Sequence, residues 1–100
     1  MPTTPKAFHR AALPSAVTAV YTVPASGLAV ITNLVATNPA ATAAGVTVRL
    51  GGVPLLSGVG IAPGGLLALD VRQVLGAGDR IEVQGSGGQA VLHISGVEVT

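Results

Sequence analysis

The chain has 100 residues, a net charge of +1 and no cysteine, which bounds it to one domain with a single modest core and excludes disulfides and thiolate metal sites. Hydrophobic residues make up 49% of it and charged residues 9%, against about 25% charged in an ordinary soluble domain. The basic residues Lys6, Arg10, Arg49, Arg72 and Arg80 are scattered and nearly balanced by Asp70, Asp79, Glu82 and Glu98. The concentrated basic stripe of a phosphate-tracking surface is missing, and nucleic acid is excluded as a partner.

In chain order, residues 1–5 are rich in Pro and Thr and lack the apolar core of a signal peptide. They read as an extended N-terminal arm ahead of a domain over residues 6–100 in an unexported protein. Short runs rich in Val, Ile, Leu and Thr predict strands near 6–13, 17–23, 28–37, 45–51, 53–57, 65–70, 80–84 and 89–99. Turn signals separate many of them: Pro24-Ala25-Ser26-Gly27, Asn38-Pro39-Ala40, Gly51-Gly52, Ala62-Pro63-Gly64-Gly65, Gly76-Ala77-Gly78-Asp79 and Gly85-Ser86-Gly87-Gly88. Residues 36–45 are Ala-rich but broken by Asn38-Pro39 and predict a loop, and Gln73-Val74-Leu75 predicts a short 3₁₀ turn. The uncharged stretch 51–69 contains Pro54, Pro63 and several glycines, so it is no membrane span.

Two kinds of strand are visible. Val46, Val48 and Leu50 alternate with Thr47 and Arg49, and Ile81 and Val83 alternate with Glu82 and Gln84, the pattern of strands with one wet face. Residues 28–35 and 66–69 are apolar on both faces, which requires either a central position or a partner. No charge occurs between Ala11 and Val48. With so little charge to hydrate a surface, Leu28, Val30, Ile31, Leu34, Val35, Leu66, Leu67 and Leu69 are the candidate oligomer or lattice interface. In the last strand Leu92 and Ile94 share one face and Val97 and Val99 the other, so a bulge or kink is expected at Gly96. The class is all-β: a single antiparallel β-sandwich, Ig-like or jelly-roll-like, of about eight short strands.

The search for chemistry is negative. Gly85-Ser86-Gly87-Gly88-Gln89-Ala90 fits a dinucleotide fingerprint on paper but leads into a β-run, without a helix N-terminus to hold a pyrophosphate. His9 and His93 fall on the first and last strands, and no third ligand is demanded by spacing. Ser57, His93 and Asp70 compose a triad only by selection, since no Gly-x-Ser-x-Gly elbow is present. Asp79 and Glu82 fall short of the oxygen count that Ca²⁺ takes, and Asp79 is better explained by its turn. The reading is a non-enzyme without cofactor, metal site or membrane span.

Residues 21–38, 55–65, 74–84 and 93–99, which run Tyr21-Thr22-Val23-Pro24-Ala25-Ser26-Gly27, Leu55-Leu56-Ser57-Gly58-Val59-Gly60, Val74-Leu75-Gly76-Ala77-Gly78-Asp79 and His93-Ile94-Ser95-Gly96 at their starts, resemble small β-sandwich structural proteins of tailed bacteriophage particles. The resemblance covers roughly residues 17–100 and carries no active-site motif. It implies a homo-oligomer, expected as a trimer, that binds the phage major capsid protein as a capsid decoration protein and reinforces the head shell. The implied location is the virion, at the capsid surface, after assembly in the host bacterial cytoplasm. The alternatives are a minor tail or tail-tip protein with the same fold and, in another class, a carbohydrate-binding module for the host surface. The last would rely on exposed aromatics, and the chain has Phe8 and Tyr21 alone.

Overall fold

The structure is a computed structural model that describes residues 3–87 and 89–100. Eight strands follow one another: β1 (Thr3–Ala12), β2 (Thr18–Thr22), β3 (Leu28–Thr37), β4 (Ala44–Leu50), β5 (Val53–Ile61), β6 (Leu66–Leu75), β7 (Arg80–Gly87) and β8 (Val91–Val99). All pairings are antiparallel: β1 with β8, β2 with β7, β3 with β6 and β4 with β5. First pairs with last and each inner strand with its mirror image, so the chain is one long hairpin whose tip is the Gly51-Gly52 turn. Winding that ribbon on itself adds the contacts β3–β8 and β4–β7. The result is two four-stranded sheets, β1-β8-β3-β6 and β2-β7-β4-β5. That order is a jelly roll, which decides between the two sandwich types the sequence leaves open.

The inner faces supply the core. Ile31, Leu34, Leu92 and Ile94 from one sheet meet Val46, Val48, Ile81 and Val83 from the other. Each buried aliphatic of this size contributes about 1.5–3 kcal/mol. The alternation read in β4 and β7 therefore points inward as expected.

Four local expectations are corrected. Residues 3–5 belong to β1, in register with Val97–Val99, instead of forming an arm. Pro5 is tolerated because β1 is an edge strand with no ladder on its far side. Residues 73–75 continue β6 instead of making a 3₁₀ turn, because Ile31, Val30 and Ala29 pair with them. Gly85-Ser86-Gly87 extends β7 opposite Ala44–Val46, and β5 runs through Gly58 and Gly60 to Ile61. Glycine lowers strand propensity, but a neighbouring ladder overrides it. The last residue of the Gly85–Gly88 turn lies outside the described residues.

The bulge expected at Gly96 lies instead in the strands on either side. β8 runs unbroken, while β1 carries an extra residue at Phe8 and β3 one at Thr32, both beside Ser95 and Gly96. The cause is steric. A Cβ on Gly96 would collide with the Val30 carbonyl oxygen and stand 2.9 Å from Phe8 Cε2. The neighbours close in over a residue without a side chain, and the ring of Phe8 fills the space above it.

Asn38 holds the opposite corner. It is the one buried polar residue among those described, and its polar groups are engaged. Its Nδ2 donates to Thr42 O at 2.7 Å and Ile61 O at 3.1 Å, and its Oδ1 accepts from Ala40 N at 3.1 Å. Its backbone N–H donates to Gly65 O at 3.1 Å and its carbonyl accepts from Gly64 N at 2.8 Å. One residue thus ties the β3–β4 loop to the β5–β6 turn.

Two substitutions test these constraints by urea denaturation. Gly96→Ala is expected to cost about 3 kcal/mol, because the obstacle is backbone and cannot rotate away. Asn38→Ala is expected to cost about 2 kcal/mol, by leaving the buried Ile61 carbonyl without its partner and freeing the part-buried Thr42 carbonyl and Ala40 amide. Losses below about 0.5 kcal/mol, the size of an ordinary surface substitution, would contradict both assignments.

Candidate docking face

The two sheets have unlike outer faces. On β2-β7-β4-β5 the outward residues of the central strands are Gly45, Thr47 and Arg49, with Arg80, Glu82 and Gln84 beside them. This face is polar: Thr47 Oγ1 accepts from Gly58 N at 3.0 Å and an Arg49 terminal nitrogen donates to Gly52 O at 3.1 Å.

On β1-β8-β3-β6 the outward positions follow from register. Leu28 pairs with Val99, Val30 with Val97 and Val74, Val35 with His93 and Ala68, and Thr37 with Val91 and Leu66. Leu66 and Val74 are 63% and 69% exposed. Between these two apolar ends runs a polar belt at the level of the bulges: Ser95 on β8, Thr32 and Asn33 on β3, Asp70 and Arg72 on β6, with Arg10 of β1 one row away beside His93. A shallow depression of about 410 Å³ lies over the belt, lined among others by Pro5, Arg10, Asn33 and Ser95. Thr32 Oγ1 donates to Ser95 O at 3.3 Å and bridges the β3 bulge to β8. The polar belt coincides with the bulged level of the sheet, where bulges re-aim side chains.

The predicted interface residues divide accordingly. Leu28, Val30, Val35 and Leu66 lie on this face. Ile31 and Leu34, at 0% and 2% exposure, are core residues and are withdrawn from any surface. Leu67 and Leu69 point inward from the edge strand and pack against the core. The reason is the extra residue at Thr32, which switches the parity of β3 so that Ile31 and Leu34, three apart, both face in. Sequence reasoning missed Val74, Val91, Val97 and Val99 as part of the face. The opposite phase of Val97 and Val99 was the available signal, but strand neighbours were needed to use it.

The remaining singled-out residues separate. His93 is in register with Arg10 on the outer face, whereas His9 is in register with buried Ile94, so they occupy opposite faces of the sheet. No group of three His, Asp or Glu converges among the described residues. Ser57 lies on β5 in one sheet, and Asp70 and His93 lie in the other. Asp79 Oδ2 accepts from Gly76 N at 2.9 Å, the turn role expected of it.

Both aromatics are committed internally. Phe8 is 6% exposed and meets the Tyr21 ring at 4.6 Å between centroids, tilted by 53°. Tyr21 donates its hydroxyl to Glu98, Lys6 pairs with Glu98 at 3.6 Å, and the Lys6 ammonium stands 5.6 Å from the Tyr21 ring centre. This cluster bolts β2 of one sheet to β1 and β8 of the other. No protein-family model matches the chain, and no curated protein matches it. The fold and its surfaces define a jelly-roll domain with one polar and one largely apolar sheet face.

Two partly buried groups set a pH signature. Burial pushes the Tyr21 hydroxyl above its ordinary 10.0, helped by the hydrogen bond to Glu98 and the charge on that carboxylate. Folding thus favours the protonated phenol, and its contribution is whole below pH 10.0 and declines as the unfolded chain ionises above it. Burial holds the His9 imidazole below its ordinary 6.5, opposed by a backbone hydrogen bond involving Ala11 and assisted by the charge of His93. That contribution is whole above pH 6.5 and is lost as pH falls and the unfolded chain takes up a proton. Chemical denaturation across pH should show both declines. Tyr21→Phe is expected to flatten the alkaline limb and His9→Gln the acid limb, each leaving the other unchanged.

Proposed function

We propose that this chain is a non-enzymatic structural protein of a tailed-bacteriophage particle: a capsid decoration protein that seats its β1-β8-β3-β6 face on the head shell. The observation that carries the reading is the unlike character of the two outer faces. One presents Arg49, Arg80, Glu82 and Gln84 to water, and the other presents Leu28, Val30, Val35, Leu66, Val74 and Val97 around a polar belt. The resemblance of the strand and turn patterns to virion β-sandwich proteins supplies the setting.

Burial of that face on the shell would contribute at roughly 25 cal/mol per Å² of apolar area before association costs. Asn33, Ser95, Asp70 and Arg72 would fix orientation, since polar contacts discriminate partners more than they strengthen binding. Repetition over a shell lets modest contacts hold by avidity. The reading needs neither cofactor nor catalytic group.

Immunogold electron microscopy of particles carrying this chain tests the location. Dense label over heads is expected, and label confined to tails would replace the decoration role with that of a tail component. Particles stripped of the chain and re-incubated with it test the face. Val35→Lys is expected to fold normally and to lose at least tenfold in binding, whereas Thr47→Lys on the polar sheet binds as the unmodified chain does. Equal binding by both variants would overturn the assigned face.

A further inference from the structure

Four strands are sheet edges, β1 and β6 in one sheet and β2 and β5 in the other. An exposed edge offers a row of unpaired backbone donors and acceptors, and proteins usually blunt it with proline, lysine, bulges or brevity. β1 has Pro5, Lys6 and the bulge at Phe8. β2 is 5 residues long with a register shift. β5 has Pro54, two glycines and two register shifts. β6 runs 10 residues, Leu66–Leu75, without proline, glycine or lysine, and its one irregularity falls opposite Thr32.

The charges on β6 are Asp70 and Arg72, both exposed on the outer face and flanking half-buried Val71. We infer that β6 pairs antiparallel with β6 of a second copy of this chain about a two-fold axis at Val71, so that Asp70 of each copy faces Arg72 of the other. An isologous antiparallel contact must pair each position with its reflection through the centre. Centring on Val71 sets both charge pairs opposite in sign, Ala68 opposite Val74, and Leu67 opposite Leu75. A centre at either neighbour sets Asp70 against Asp70 or Arg72 against Arg72, which is unfavourable across a ladder. Charge thus selects the register as well as the partner. The pairing joins two four-stranded sheets into one continuous sheet and doubles the apolar docking face on a single side. It yields a two-fold unit, where the resemblance implies a trimer, and it does not depend on what the docking face binds.

Light scattering coupled to size exclusion reads the outcome directly. The unmodified chain is expected at twice the chain mass. Asp70→Arg and Arg72→Asp are each expected at the single-chain mass with unchanged circular dichroism. Mixing the two variants restores the dimer mass, because each supplies the sign the other lacks, and the doubly reversed chain Asp70→Arg/Arg72→Asp also dimerises. Val35→Lys, on the docking face but off the edge, retains the dimer. A single-chain or three-chain mass for the unmodified protein overturns the inference. So does a dimer that survives both single charge reversals. A dimer lost in Val35→Lys but kept in Asp70→Arg overturns the edge pairing and leaves the docking reading standing.

Discussion

At Gly96 the carbonyl of Val30 and the ring of Phe8 occupy the space where any other residue would carry its side chain. The rest of the first sheet is arranged around that approach. Extra residues at Phe8 and Thr32 appear in the two strands beside Gly96, and the ladder shift between β3 and β6 falls at the same level. Bulges add local twist and change which side chains face out. Here they bring Thr32, Asn33, Ser95, Asp70 and Arg72 to one line across the outer face, and they turn Ile31 and Leu34 together into the core. The surface pattern and the core thus share a single steric cause.

A chain wound as a double-layered ribbon must also hold its layers in register where it passes from one sheet to the other. Asn38 does this at one corner with backbone and side-chain bonds to two loops. Near the β1–β2 crossing, Leu13 N bonds Ala90 O at 3.0 Å and Gly85 N bonds Pro14 O at 2.8 Å. The Tyr21–Glu98–Lys6 cluster adds a polar bolt between the sheets. With no disulfide and a core of mainly Val, Ile, Leu and Ala, directional bonds at the corners specify an alignment that non-directional apolar packing leaves loose.

The scarcity of charge has a consistent spatial meaning. The few charged residues are placed at the polar sheet face, at turns, on the belt or in the cluster at Glu98, and the remaining outer face is left to Val and Leu. An isolated small domain is seldom built this way, whereas a subunit whose face is covered by another protein gains from it.

The all-β class, the number of strands and the inward residues of β4 and β7 were legible in the sequence, because local alternation and turn chemistry depend on near neighbours alone. So was the double-faced character of residues 28–35, although which of its two faces is interior was not. Parity in β3 changes at Thr32 for a reason located at Gly96, more than sixty positions away, and no local period records it. The extent of β6 and β7, the paired state of residues 3–5 and the jelly-roll order were likewise decided by partners remote in sequence. The candidate face shows the division most clearly: Leu28, Val30, Val35 and Leu66 were identifiable as apolar residues needing cover, but their joining to Val74, Val97 and Val99 in one surface came from strand adjacency. Side-chain alternation is a property of one strand, whereas a surface belongs to several, and only the tertiary fold sets them side by side.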